Sequence, residues 1–268
     1  MCRFLAYRGA PLLLETLVAA PAHSLIHQSM HATEAKTETN GDGFGIGWYG
    51  ERTTPGLYRE VHPAWSDENL RSHCAQVRAG LFFAHVRAAT GTATTRANCH
   101  PFAAGRWLFM HNGQVGGWAS VRRRVESMIP DALYNLRAGT TDSEAILLVA
   151  MALGLEDDPP AAIGRTLAAI LALMHAAGVR EPLRFTAALS DGERVWAFRW
   201  SSDRRPPSLY WRENEAGLVI VSEPIDDDRD GWHAVPAGCC LLSEPGRALR
   251  QMPLPEIAAL LPEPAEIA

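Results

Sequence analysis

A cysteine stands at position 2, directly behind the initiator Met1. A side chain this small permits removal of the methionine, which leaves a thiol and a free α-amino group on one residue. Their unperturbed pKa values, about 8.5 and about 7.7–8.0, both lie near neutral pH, so the amine can take the thiol proton without a separate histidine. Position alone favours the plainer alternative, an inert buried thiol on a first strand. Arg87 offers a planar five-donor fork suited to a carboxylate, and Asp142 offers a carboxylate suited to an ammonium group. Together they would clamp an α-amino acid; singly, each reads more simply as a surface ion pair or a helix cap. Asn112-Gly113 supplies a side-chain amide and an unhindered backbone N–H, the two donors that a tetrahedral oxyanion needs, and in isolation the pair is a turn.

These residues need elements to hold them. Residues 2–8 read as a strand, 11–18 as a short helix opened by Pro11, and 31–39 as a polar surface loop. Phe44, Ile46 and Trp48 alternate with Gly45, Gly47 and Tyr49, predicting a strand with a glycine-lined face, and 57–61 pairs with it. Ser66, with Asp67 and Glu68 behind it, starts a helix that turns Leu70, Cys74 and Val77 to the core. Strands 81–86 and 107–110 run straight into His85-Val86-Arg87 and His111-Asn112-Gly113, rigid places for functional groups. Thr141 or Asp142 caps an apolar helix to about residue 155, and Pro159 or Pro160 opens another that reaches Gly178. A hairpin around 190–193 joins strands 185–189 and 195–200, with further strands at 209–212, 218–222 and 239–242. Trp107, Trp196, Trp200 and Trp211 fall in these strands and are expected in the core. Strands, two consecutive core helices, then strands again predict an α+β fold of two antiparallel sheets with outer helices. A single domain over 2–250 is expected, followed by a Pro-punctuated tail over 251–268.

Composition narrows the partners. Hydrophobic residues make up 47% of the 268, which excludes general disorder. Against 30 Asp and Glu there are 25 Lys and Arg, so no basic footprint for nucleic acid exists. No apolar run approaches the roughly 20 residues of a membrane span, and Arg3, Arg8 and Glu15 interrupt any signal-peptide core. Five cysteines without repeated spacing fit a reducing, cytoplasmic setting. Neither Cys239-Cys240, nor Cys99-His100, nor His23, His27 and His31 has convincing ligand spacing, so no metal or other cofactor is expected.

Five motifs taken together carry a resemblance. Met1-Cys2, Asn40-Gly41-Asp42-Gly43-Phe44-Gly45, His85-Val86-Arg87-Ala88-Ala89-Thr90, His111-Asn112-Gly113 and Thr141-Asp142-Ser143-Glu144 occur in the order and rough spacing of class II glutamine amidotransferases, which are N-terminal-nucleophile hydrolases. The resemblance implies a four-layer αββα sandwich. It makes Cys2 the nucleophile, Asn112 and Gly113 the oxyanion hole, Arg87 the ligand of the substrate α-carboxylate and Asp142 that of its α-ammonium; Thr90 and His111 join the substrate-binding set through the same motifs. Two positions depart from the family pattern: Ala88 and Gly91 stand where many members have Trp and His. The sequence resembles the stand-alone subgroup that includes the γ-glutamyl hydrolase of ergothioneine biosynthesis. The resemblance therefore implies hydrolysis of the γ-glutamyl amide bond of glutamine or a small γ-glutamyl conjugate. Two alternatives stay open: a glutaminase subunit passing ammonia to a separate synthase, and an inactive relative that binds an amino acid or a partner protein.

Overall fold

Alternation along one strand sorts the molecule into layers. In β1 (Arg3–Leu13), Leu5 and Tyr7 point to one face and Phe4 and Ala6 to the other, as the two-residue period of a strand requires. The computed structural model describes residues 2–34, 39–89, 91–254 and 257. After β1 come α1 (Glu15–Val18), α2 (Leu25–Met30), β2 (Phe44–Trp48), β3 (Gly56–Glu60), α3 (Glu68–Gln76) and β4 (Arg78–Val86). Then follow β5 (Phe102–Ala104), β6 (Trp107–Gln114), α4 (Trp118–Glu126), α5 (Asp131–Tyr134), α6 (Asp142–Ala152) and α7 (Pro159–Ala176). The chain continues through β7 (Arg184–Ser190), β8 (Val195–Ser201), β9 (Tyr210–Asn214), β10 (Gly217–Val221), β11 (His233–Ala234), β12 (Cys239–Ser243) and β13 (Arg250–Pro253).

Among the described residues these strands form two antiparallel sheets, ordered β11-β9-β10-β1-β4-β2-β3 and β13-β12-β8-β7-β6-β5. Three apolar layers hold the stack together. Leu5, Phe82 and Ile46 pack under α1–α3, with Leu14, Val18, Leu25 and Leu70. Phe4, Phe83, Met110 and Leu241 fill the space between the sheets. Phe109, Phe185, Trp196 and Phe198 pack under α4–α7, against Ile146, Ile163 and Leu167. The arrangement is the αββα sandwich that the motifs imply.

Several local readings change. The helix expected over 11–18 is instead the end of β1, which pairs Leu12 and Leu13 with Ala79 and Arg78, and only Glu15–Val18 is helical. Pro11 sits where the register shifts between Arg8 and Leu12, an irregularity that tolerates a residue without an N–H. β6 does not stop at Met110: His111, Asn112 and Gly113 stay in register with Ala187, Thr186 and Phe185 of β7. α3 is capped by Asp67, whose carboxylate accepts from Leu70 N at 2.6 Å, with Ser66 in the preceding 3-10 turn. α4 escapes the sequence reading because only Val121 and Val125 of its nine residues are buried, too thin a stripe to register beside three arginines. Trp107 and Trp196 are fully buried, whereas Trp200 and Trp211 are half-buried, Trp200 against the layer under α4–α7 and Trp211 against the layer between the sheets.

The polar stretch 31–39 is anchored by Glu223, whose buried carboxylate accepts from Thr33 N, Thr33 Oγ1 and Glu34 N; positions 35–38 lie outside the described residues. The second sheet continues past residue 250, since β13 pairs with β12, and Leu254 and Ile257 are buried against the helical layer. Other positions of the expected tail lie outside the described residues.

Phe83, fully buried between the sheets, should be costly to truncate. Phe83→Ala is expected to lower the unfolding free energy by about 3–5 kcal/mol. Urea denaturation followed by tryptophan fluorescence measures it, and a loss below about 1 kcal/mol would show that this layer is not close-packed.

Candidate active site

The strand period also aims Cys2. Cys2 lies two residues before Phe4 and Asn112 two residues after Met110, and both Phe4 and Met110 face the space between the sheets. The two residues therefore meet at one end of that space: Asn112 Nδ2 donates to the Cys2 backbone carbonyl oxygen at 2.8 Å. An oxygen acceptor fixes which end of the amide is nitrogen, and the second N–H of that nitrogen is left for another acceptor. Cys2 Sγ lies 3.4 Å from the backbone N of Ala88, which donates to it, and 3.5 Å from the Ala88 carbonyl. Burial pushes the Cys2 thiol pKa up, while the Ala88 contact and the charges of Arg87 and Arg3 pull it the other way. At neutral pH the resting sulfur is a thiol and must lose its proton to act.

Arg87 follows β4 and is buried. Its guanidinium donates to the Asp42 carbonyl at 3.2 Å, to Thr92 Oγ1 at 2.7 Å and to the Ala93 carbonyl at 3.3 Å. No carboxylate among the described residues pairs with it, so the cation enters a low-dielectric site with neutral partners and an unspent charge. The segment 42–43 is zipped to 87–89: Asp42 N donates to Arg87 O, Arg87 N to Gly43 O, and Ala89 N to Asp42 Oδ2. Gly43 has φ +113°, and a Cβ there would come within 2.6 Å of Cys99 Sγ. Cys99 is a buried thiol that contacts the carbonyls of Glu60 and Thr95, and burial raises its pKa.

Asp142 opens α6 beside the N-cap Thr141, whose Oγ1 accepts from Glu144 N at 3.2 Å. The half-buried Asp142 carboxylate takes Val115 N on one oxygen and Ser143 N on the other, both at 2.8 Å, and no cation among the described residues pairs with it. Arg87 and Asp142 are thus two held but uncompensated charges of opposite sign. Asn98, buried, links their supports: Nδ2 donates to the Ala93 carbonyl that Arg87 also uses, and Oδ1 accepts from Thr140 N at 2.7 Å. Glu144 fixes the approach to the cap by accepting from Ala138 N and Gly139 N and pairing with Arg137.

The other expected site residues are placed differently. His111 projects from the opposite face of β6 to Asn112, stacked on Phe185 with ring centroids 5.1 Å apart. Its Nε2 meets the Arg184 carbonyl at 3.2 Å, so it carries a proton, and Nδ1 lies 2.9 Å from Ser143 Oγ. Burial lowers its pKa, opposed by the Asp142 charge, so the ring is neutral and accepts from the Ser143 hydroxyl. Its contacts reach the neighbour of Asp142 and not Cys2. Gly113 sits at φ +141°, where a Cβ would lie 1.9 Å from the Arg184 carbonyl oxygen, so the close approach of β7 excludes any side chain. Thr90 lies outside the described residues. Among the described residues no group of three or more His, Cys, Asp or Glu is placed to hold a metal ion, and no helix is long and apolar enough to cross a membrane.

Sequence reasoning missed the supporting residues. Asp42 and Glu144 stand inside motifs, and Thr141-x-x-Glu144 is a capping pattern that could have singled out Glu144. Asn98 has no local signal, because its partners lie 5 and 42 residues away.

Two outcomes test this geometry. Because burial raises the Cys2 pKa, its alkylation by iodoacetamide should have its half-maximal rate at a pH above the free-thiol value of about 8.5. Peptide mapping across a pH series reads this directly, and a midpoint below 8 would contradict it. Asn98→Ala leaves the half-buried Thr140 N–H without its acceptor and the Ala93 carbonyl without its Asn98 donor, and should cost about 1–3 kcal/mol of stability by thermal or urea unfolding.

Comparison with known proteins gives this arrangement its relatives. The family model of class II glutamine amidotransferases matches residues 13–207. A probable glutamine amidotransferase of Saccharomyces cerevisiae, DUG3, is 30% identical over 90% of this chain and 81% of its own length. The γ-glutamyl-hercynylcysteine sulfoxide hydrolase of Mycolicibacterium smegmatis is 30% identical over 88% of this chain and 92% of its own. Among solved structures, a glutamine aminotransferase class-II domain protein from Silicibacter pomeroyi superposes with a TM-score of 0.77 at 38% identity, covering 95% of this chain and 100% of that one. A glutamine phosphoribosylpyrophosphate amidotransferase of B. subtilis, at 13% identity and a TM-score of 0.66, shares the fold. With the family model spanning well over half its length and the αββα architecture in place, the chain is an enzyme of the class II glutamine amidotransferase family.

Proposed function

We propose that the chain cleaves the γ-glutamyl amide bond of glutamine or a γ-glutamyl conjugate through a γ-glutamyl thioester on Cys2. The observation that carries this reading is the conjunction of a half-buried Cys2, its carbonyl held by the Asn112 amide and its thiol by the Ala88 N–H, with two uncompensated charges, Arg87 and Asp142. An α-amino acid head matches those charges, its carboxylate on Arg87 and its ammonium on Asp142, and a side chain extends from it toward Cys2. The hydrolase name of the mycobacterial relative points to the same bond class.

Removal of Met1 frees the Cys2 amine, which takes the thiol proton as Sγ bonds to the γ-carbonyl carbon. The carbonyl π pair moves onto oxygen, where the second N–H of Asn112 and the backbone N–H of Gly113 receive it. Collapse of the tetrahedral intermediate breaks the C–N bond, and the α-ammonium protonates the departing amine. A water then gives its proton to the α-amine, adds to the thioester carbon and expels Sγ, which regains a proton as glutamate leaves. A reducing cytosol keeps such a thiol competent. The yeast relative's printed name supports a second reading, transfer of the released ammonia to a separate synthase, in which turnover by the isolated chain would be slow and a partner would accelerate it.

Intact-mass measurement should show loss of the Met1 mass; retention of Met1 in a hydrolytically active enzyme would overturn the N-terminal base. Cys2→Ala should abolish hydrolysis of every γ-glutamyl amide tested with the melting temperature preserved. Arg87→Lys should raise KM for substrates with a free α-carboxylate, since a point-charge ammonium cannot reproduce the guanidinium fork, at a cost of about 2–5 kcal/mol in kcat/KM. Unchanged kinetics in that variant would remove the clamp. Asn112→Ala should lower kcat by roughly 10²–10³ through loss of the oxyanion donor, with a smaller effect on KM.

A further inference from the structure

Beneath Cys2 the space between the sheets is polar where it would ordinarily be apolar. His85 alternates with Phe83 along β4 and so projects into that space, paired in register with Phe4 of β1 and Gly45 of β2. It is 1% exposed, and its ring stacks on His100 with centroids 4.2 Å apart and planes 25° apart. His100, also buried, meets Phe102 edge-on at 4.6 Å. Neither ring nitrogen of His85 nor Oδ1 of Asn112 closes a direct hydrogen bond, although all three are buried from solvent. Besides the stacked His100, the polar groups near the His85 ring include the Asn112 side chain and the His111 backbone. Burial, together with the charge of Arg87, holds the His85 pKa down to about 3, and His100 is likewise kept well below its ordinary value. Both imidazoles are therefore neutral, each with one N–H to place.

We propose that His85 is a positioning residue for Asn112: its ring N–H faces Oδ1 and so keeps the amide turned with its NH2 toward Cys2, a role that depends on the thioester chemistry proposed above. A primary amide can be turned end for end at little steric cost, and only its hydrogen-bond partners decide which end faces the nucleophile. Nδ2 already has the Cys2 carbonyl. A buried Oδ1 needs a donor, and His85, on the facing sheet, is a neighbour of the Asn112 side chain with a buried ring N–H still to place. Stacking on His100 keeps the imidazole from tilting away. That stack depends in turn on Gly45: its built Cβ would come 2.2 Å from the His100 carbonyl oxygen, so any side chain there pushes His100 off the ring of His85. The device runs from a glycine in the 40–45 motif, through two stacked histidines, to the oxyanion donor.

The test is a double-mutant cycle on processed protein with γ-glutamyl-p-nitroanilide and glutamine as probes. His85→Phe keeps a flat ring over His100 but removes the donor, and it should lower kcat by roughly 10–10²-fold with little change in KM, because an oxyanion contact is misplaced and not a ground-state one. Combined with Asn112→Ala it should add less than about twofold, since it acts through that side chain. His85→Gln, which restores a donor, should recover part of the loss. An unaltered kcat in His85→Phe, or losses that multiply in the double mutant, would overturn the role. If the His85 variants fail to fold, the wild type still decides: ¹⁵N shifts of the His85 ring should report a single fixed tautomer, and an even mixture of two would refute the contact. Wild-type protein that hydrolyses neither probe would instead overturn the proposed function, leaving the tautomer measurement to judge the contact by itself.

Discussion

The hydrogen bond from Asn112 Nδ2 to the Cys2 carbonyl joins the two sheets at the place where the chemistry is proposed. Its existence constrains much else. β1 lies inside its sheet, and the flanking β10 and β4 define the plane from which Cys2 emerges. β6 must run far enough past Met110 to bring Asn112 opposite Cys2, so the ladder with β7 carries through Gly113. Because side chains alternate strictly along a strand, a slip of β6 by one residue would turn Asn112 into the helical layer and His111 into the site. The apolar layers on both sides resist such a slip, since every shifted residue would exchange a buried face for the wrong one.

Charge places a second demand on the fold. Arg87 is buried with neutral partners, and an unpaired buried cation opposes folding unless dipoles surround it. The carbonyls of Asp42 and Ala93 and the Thr92 hydroxyl perform that service without cancelling the charge. Asp142 is treated in the complementary way, by backbone N–H groups of Val115 and Ser143. An ion pair between the two would stabilise the protein and leave nothing for a ligand. Separate solvation by fixed dipoles preserves both charges, and Asn98 keeps their scaffolds in a fixed relation.

Close backbone approach recurs around the site. Gly113 admits the Arg184 carbonyl, Gly45 the His100 carbonyl, and Gly139 the side chain of Asn98, each at distances that a Cβ would forbid. Polar groups packed this tightly leave little room for alternative hydrogen-bond arrangements, which keeps donors aimed before any substrate arrives.

The amino-acid sequence alone determined the family and the candidate site residues to look for, together with those elements whose local signal is strong. Thr141-x-x-Glu144 marks its helix start through contacts three residues apart, and the apolar helices 142–152 and 159–176 announce themselves by composition and by Pro159 at the first helical position. The strand at 44–48 is legible from its alternation, and Asn112-Gly113 from its pairing of an amide with a residue lacking a Cβ. The tertiary structure decided whatever depends on partners distant in the chain. Pro11 reads as a helix opener until pairing with β4 supplies a bulge for it. The reach of β6 through His111-Asn112-Gly113 is invisible locally, because three polar residues lose their look of a turn only when β7 lies alongside. Asn98 and the stack of His85 on His100 are silent in the sequence for the same reason: their meaning lies in groups brought near by sheet pairing, and pairing between strands far apart in the chain leaves no periodicity in either one.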